Sequence, residues 1–180
     1  MTGNRTTSDV DSTIRRAHPA EAGVLTALAL RAKAHWGYDA DFLAACRDDL
    51  TLTADEIATS PVYVCDGADA ASGFYRLLLL DDGVAELDAL FVEPAAMGQG
   101  IGRRLWRHAV ATARELACSE LVLQSDPWAE GFYLAMGAQR AAESESTVMP
   151  GRMLPVMRFQ LQKGGANLQV THITGRHLQE

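Results

Sequence analysis

Glu86 and Asp88 stand two residues apart inside an apolar run made of Leu87, Ala89, Leu90, Phe91 and Val92. On a strand, positions i and i+2 share a face, so the two carboxylates project together. A carboxylate pair there can take a proton from an incoming nucleophile. It can equally lie in solvent and meet a cross-strand arginine such as Arg76, and both alternatives stay open. Glu93-Pro94 closes the run, because proline lacks the N–H that a sheet ladder requires. Gly98-Gln99-Gly100-Ile101-Gly102 comes next, and a helical pattern begins at about Gly100 with Leu105, Ala109 and Ala113 on one face. Strand, glycine turn and helix together aim backbone N–H groups and a helix N-terminus at an anion. Glycine suits that task because a side chain would hold the anion off the main chain. A tight turn ahead of an ordinary helix explains the same glycines without any ligand.

Spacing separates the known readers of pyrophosphate. A P-loop ends in Gly-Lys followed by Ser or Thr, whereas Gly102 is followed by Arg103-Arg104. The dinucleotide fingerprint is Gly-x-Gly-x-x-Gly, and Arg103 occupies the place of its last glycine. Met97 through Gly102 resembles the coenzyme A loop of the GNAT N-acetyltransferases, Gln/Arg-x-x-Gly-x-Gly/Ala, with Met97 where that family usually has Gln or Arg. The main-chain donors of such a loop do not depend on that side chain. Asp126 through Gly137 resembles a second pattern of the family, Asn-x-x-Ala-x-x-Phe/Leu-Tyr-x-x-x-Gly, with Asp126 in the Asn position and Tyr133 in the Tyr position.

The scattered His35, His108, His172 and His177 form no metal set, and the resemblance implies acetyl-CoA as co-substrate and a set of roles. The main chain of Leu90, Phe91 and Val92 would pair with the pantetheine arm as though it were an added strand. Met97, Gly98, Gln99, Gly100, Ile101, Gly102 and Arg103 would hold the pyrophosphate. Asp126 would stand at the family's Asn contact to the cofactor, although an ionised carboxylate only accepts hydrogen bonds. Tyr133 would protonate the leaving thiolate as general acid; a core tyrosine on an apolar helix face is the other role open to it. Glu86 falls where some members carry a base, with Asp88 as the runner-up. An N–H of Phe91 or Val92 would stabilise the developing oxyanion.

Those groups need a scaffold, and the rest of the chain supplies one. Thr13 to Ala17 is a strand candidate. His18-Pro19 opens a helix, with Glu21 at the positive end of its dipole. Ala22, Leu25, Ala29 and Ala32 run along one face of it, and Leu28 widens that face. Gly37 breaks the pattern, and Asp39 caps a second helix through Phe42, Leu43 and Cys46. Trp36 and Tyr38 flank the break as candidate substrate contacts or core anchors. Thr53 and Glu56 have capping-box spacing for a short helix. Strands are expected over Pro61 to Cys65, Ala71 to Leu80 and Val84 to Val92, joined by turns that make the pairing antiparallel. A helix from Gly100 to Ala117 leads to a strand at Glu120 to Gln124, parallel to its predecessor. Asp126 before Pro127 reads as the N-cap of the next helix and Gly137 as its C-cap glycine. Strands at Ala138 to Glu143 and Pro155 to Leu161 complete the set. The loop Ser144 to Leu154 between them carries Arg152, placed to read a substrate carboxylate. His108 is assigned to an exposed helix face.

At 180 residues with a net charge of −7 and a pI of about 5.2, one domain is expected and a basic nucleic-acid surface is not. Cys46, Cys65 and Cys118 form no zinc spacing and no disulfide framework, so buried thiols in a reducing cytoplasm are expected. No apolar run reaches membrane-spanning length, and the polar N-terminus lacks the apolar core of a signal peptide. Residues 1–11 are expected to be a disordered leader, 12–162 the folded domain, and 163–180 a tail of undetermined structure. The order of elements is that of the GNAT fold: α/β (α+β), a mixed, mostly antiparallel central sheet with a splayed parallel pair, and helices on both faces. The expected function is transfer of an acetyl group from acetyl-CoA to a primary amine, on a small molecule or a protein, by direct attack. Trp36, Tyr38 and Arg152 are the substrate candidates. A non-catalytic acyl-CoA-binding sensor or assembly module is the alternative, and a nucleotide-binding protein is the third. No membrane partner is expected, and a homodimer is left open.

Overall fold

A computed structural model describes residues 13–68 and 70–161. The leader 1–11 and the tail 163–180, with His172, His177 and the alternating Leu168, Val170 and Ile173, lie outside the described residues. In chain order the elements are β1 (Ile14–Arg16), α1 (Ala22–Ala34), α2 (Ala40–Ala45), α3 (Ala54–Thr59), β2 (Val62–Asp66), β3 (Ala71–Leu79), β4 (Val84–Val92), α4 (Ile101–Glu115), β5 (Glu120–Gln124), α5 (Glu130–Ala135), β6 (Gln139–Glu145) and β7 (Met153–Gln160).

The helix starts follow from side-chain caps. His18 accepts from the Ala20 amide at 3.2 Å while Glu21 accepts from the His18 amide at 2.7 Å. That capping box sets a single 3₁₀ turn that runs into α1. Asp39 accepts from the Phe42 amide at 2.8 Å and starts α2. At α3, Thr53 accepts from the Glu56 amide at 3.2 Å and Glu56 accepts from the Thr53 amide at 2.8 Å. Thr53→Ala is expected to lower the unfolding free energy by about 1 kcal/mol, read as a lower urea midpoint at unchanged slope. The expected cap at Asp126 differs. Its carboxylate holds the Trp128 amide in a turn, and α5 begins only at Glu130.

The strands form one sheet in the order β1-β2-β3-β4-β5-β7-β6. All neighbouring pairs are antiparallel except β4 and β5, which α4 joins as a parallel crossover. Successive strand residues face opposite sides, and two cores result. Val62, Val64 and Phe74 pack with Leu25, Leu28 and Ile57 on the α1 and α3 side. Tyr75, Leu77, Leu87, Leu121 and Met157 pack with Leu105, Trp106 and Ala109 of α4 on the other. Cys46, Cys65 and Cys118 are buried free thiols.

His108 corrects the expectation of an exposed face. It is half-buried, its Nδ1 lies 2.7 Å from the Tyr75 hydroxyl, and its ring packs on Tyr63. Burial lowers its pKa. The loop with Arg152 is also shorter than expected, because β6 extends to Glu145 and β7 starts at Met153.

Candidate active site

The site begins where the sheet comes apart. β4 pairs with β5 at Val84–Glu120, Ala85–Leu121 and Glu86–Val122, and no further. On its other side β4 stays paired with β3 as far as Val92. The main chain of Leu90, Phe91 and Val92 therefore has a free edge toward β5. A β-bulge coincides with the parting: Arg76 faces Ala89 and Leu77 faces Leu87, which leaves Asp88 as the extra residue. A bulge bends its strand and increases local twist. It also resets the alternation, so Leu87, Leu90 and Val92 all pack toward the α4 core. A cavity of about 1190 Å³ fills the opening, lined by β4, the glycine turn, α5 and the α1–α2 region.

The glycine turn closes one end of that cavity. Gly98 and Gly100 have φ of 77° and 82°, backbone angles that side chains with a Cβ disfavour. Gly102 differs from them: a Cβ there would rest in ordinary van der Waals contact with the Phe132 ring, at 3.4 Å. Gly100 is the N-cap of α4 and offers no side chain to cap it. Among the described residues the amides of Gly98, Gly100, Ile101, Gly102 and Arg103 have no backbone acceptor. Unclaimed N–H groups at a helix start form a positive cradle for an anion. Met97 lines the same cavity. Gln99 turns back, its amide nitrogen donating to the Ala95 carbonyl at 2.9 Å, so its side chain braces the turn.

Glu86 and Asp88 line the cavity together. The cross-strand arginine does not go to Glu86. Arg76 lies 2.9 Å from Glu56 and 3.3 Å from Asp88, and also donates to Ser60 at 3.1 Å. Glu86 has no ion pair or hydrogen bond among the described residues. Its pKa is raised, first by burial and then by the neighbouring Asp88 charge. Burial also raises that of Asp88, with Arg76 opposing the shift. Glu86 is thus the carboxylate with free lone pairs and heightened basicity.

Tyr133 is buried in α5 with its ring edge-on to Trp106 and Phe132, at 5.6 and 5.1 Å between centroids. It reaches the cavity wall. Burial alone pushes its pKa far above the usual tyrosine value, so the hydroxyl stays protonated and able to donate.

The remaining predicted residues meet at the far end. Trp36 and Trp128 stack with centroids 6.2 Å apart and planes within 3°. Tyr38 donates to Asp126 at 2.9 Å and receives Arg152 Nη2 at 2.5 Å. Burial and the Asp126 charge push the Tyr38 pKa up to about 12. Lys33 lies 2.6 Å from Asp126; burial pushes the Asp126 pKa up, but the hydrogen bond and charge of Lys33 together with the hydrogen bonds from the Trp128 amide and Tyr38 bring it below the usual value. Arg152 stacks over the rings of Tyr38 and Phe42 at 4.8 and 4.7 Å. Sequence reasoning missed Lys33, Phe42 and Trp128. The available signal was Asp126 itself, since a carboxylate that goes into a wall requires a cation.

A mixed sheet parted along its parallel pair, with a glycine turn and helix at the parting, is the architecture of an acetyltransferase. The chain belongs to the GNAT acetyltransferase family: residues 29–138 match the Acetyltransferase (GNAT) family. Peptidyl-lysine N-acetyltransferase YjaB of Salmonella typhimurium strain LT2 is 36% identical over 108 residues, covering 58% of this chain and 70% of that protein. The PaiA N-acetyltransferase of Thermoplasma acidophilum, solved in complex with coenzyme A, superposes with a TM-score of 0.70 at 16% identity, covering 82% of this chain and 98% of that one. YncA of Salmonella typhimurium, solved with acetyl-CoA, superposes with a TM-score of 0.61 at 24% identity, covering 87% and 97%. At those identities the two structures establish a shared fold. Among the described residues no helix is long and apolar enough to cross a membrane.

Proposed function

We propose that the protein transfers an acetyl group from acetyl-CoA to a primary amine, on a protein lysine, a protein N-terminus or a small molecule. One observation carries this: a free β4 edge runs into a cradle of unclaimed amides, within one cavity that also holds Glu86 and Tyr133. The 1190 Å³ volume exceeds the usual small-ligand range of roughly 300–1,000 Å³ and suits a long co-substrate with an acceptor beside it. The name of the lysine-directed relative supports a protein amine as acceptor.

Acetyl-CoA supplies an acyl group already activated as a thioester. The chain's residues do the rest. Leu90 to Val92 offer main-chain hydrogen bonds along the pantetheine arm, and the amides from Gly98 to Arg103 grip the diphosphate. Glu86 takes a proton from the acceptor ammonium, which makes its nitrogen nucleophilic. The nitrogen forms the new bond to the acyl carbon, and the C–S bond breaks. The Val92 N–H, on the edge that β3 does not use, stabilises the negative charge on the acyl oxygen. Tyr133 donates its proton to the departing sulfur, the surplus proton on the new amide nitrogen returns through solvent to the Tyr133 oxygen, and Glu86 releases its proton to solvent. Holding both reactants in line supplies much of the rate.

Release of free CoA thiol across a panel of lysine peptides, N-terminal peptides and small amines tests the proposal; no release with any of them overturns it. The pH profile tests the base. Glu86 must be ionised to work and its pKa is raised. Activity should therefore fall, as pH drops, at a higher pH than an ordinary glutamate would give. Glu86→Gln should remove that limb and lower kcat/KM by about 100- to 10,000-fold. An unchanged limb in Glu86→Gln would assign the base elsewhere.

A further inference from the structure

Asp126 gathers partners from every element around the acceptor end. Lys33 of α1 lies 2.6 Å from its Oδ2. Tyr38, between α1 and α2, donates to it at 2.9 Å. Arg152, between β6 and β7, lies 3.6 Å away and is tied to it through Tyr38. The Trp128 amide completes the set at 3.1 Å. Lys33 and Arg152 share the faces of Tyr38 and Phe42, at 4.7 to 5.5 Å from the ring centroids. Water is largely kept out: the side chains of Lys33, Asp126 and Arg152 are 17%, 13% and 16% exposed.

The place of this cluster matters as much as its composition. The ladder between β4 and β5 ends at Glu86–Val122, and β5 itself ends at Gln124, two residues before Asp126. Lys33 and Tyr38 come from the helical layer packed on β2 to β4. Arg152 comes from the hairpin that pairs with the far side of β5. Two halves of the sheet that no strand pairing joins at this level are joined instead by charge.

We infer that Asp126 is a positioning residue: an ionic hub that sets the width of the acceptor end of the cleft and makes no contact with the co-substrate. Its effect on catalysis rests on the acetyltransferase reading; its effect on the two halves does not. Asp126→Asn keeps the shape, the Tyr38 hydrogen bond and the Trp128 cap. It removes the anion between Lys33 and Arg152, so two poorly hydrated like charges face each other. Removing one member of a buried ion pair is far more disruptive than removing an exposed one.

The test uses the full chain and two readouts. Hydrogen–deuterium exchange in Asp126→Asn should rise in residues 36–39 and 146–152 and stay unchanged in α4. Steady-state kinetics with a turned-over amine should show its KM raised about tenfold, with kcat and the acetyl-CoA KM within about threefold. Lys33→Met added to Asp126→Asn should recover part of the protection, because one of the two facing cations is gone. Arg152→Gln, which removes the loop's own tie to Tyr38 and Asp126, should loosen 146–152 in the same way. Unchanged exchange in both segments overturns the hub. A raised acetyl-CoA KM with the amine KM unchanged overturns it too, since Asp126 would then belong to the co-substrate. Should no amine be turned over, the transfer reading fails while the exchange data still decide the hub.

Discussion

Tyr133→Phe is expected to reduce kcat by about 100- to 10,000-fold, the usual range for loss of a positioned general acid, and to leave acetyl-CoA affinity unchanged. The substitution is clean here. Phenylalanine keeps the edge-on packing against Trp106 and Phe132. The hydroxyl has no partner among the described residues, so its removal orphans no other group, and stability should hold. The donors proposed for the co-substrate are main-chain amides at Leu90 to Val92 and Gly98 to Arg103, and none of them changes. Thiol release at saturating substrates reports kcat, and calorimetric titration reports affinity. A thiolate is a tolerable leaving group, which favours the lower end of the range. A full-rate Tyr133→Phe would reduce Tyr133 to a core residue. A wild-type chain that binds acetyl-CoA and turns over no amine would favour the sensor reading.

The sequence made the scaffold legible because its signals are local. Thr53 with Glu56, Asp39, the pair Glu93-Pro94, and Gly137 each act within a few residues, and each marks a boundary the structure has. The parallel crossover was readable for the same reason, since a strand reached through a helix has little choice of direction. What escaped is non-local. The bulge at Asp88 depends on how β3 and β4 slip past one another, and no single strand encodes it. Arg76 lies nearer in sequence to Glu86 than to Asp88, yet its guanidinium meets Asp88 and Glu56. The partners of Asp126 are 93 and 88 residues away in the chain, beyond any periodicity. Asp126 caps a turn rather than α5: its carboxylate accepts from the Trp128 amide, and the helix starts only at Glu130. For His108, helical phase put the residue at the margin of the apolar face, and a buried tyrosine hydroxyl drew it in.

Gly100→Val is expected to weaken acetyl-CoA binding about 10- to 100-fold, because a hydrogen bond to a charged group contributes roughly 1.5–3 kcal/mol and at least one would go. The cause is backbone conformation, not crowding: a Cβ at Gly100 would meet no protein atom within 4 Å. At φ of 82° a β-branched residue is strained by about 1–3 kcal/mol. Either the strain is kept, and an isopropyl group then projects where the diphosphate should lie. Or the residue relaxes to negative φ, and the amides of Ile101, Gly102 and Arg103 turn away from their common focus. Both routes cost affinity while leaving Glu86 and Tyr133 in place. Met97→Gln is the matched control. It restores the side chain usual in the family at a position where the proposed donors are main chain, so affinity should change less than about threefold. A folded Gly100→Val protein that binds acetyl-CoA as tightly as the parent would move the diphosphate away from this turn. The free edge of β4 would then lead to some other anion site, and the assignment of the whole cleft would have to be redrawn from there.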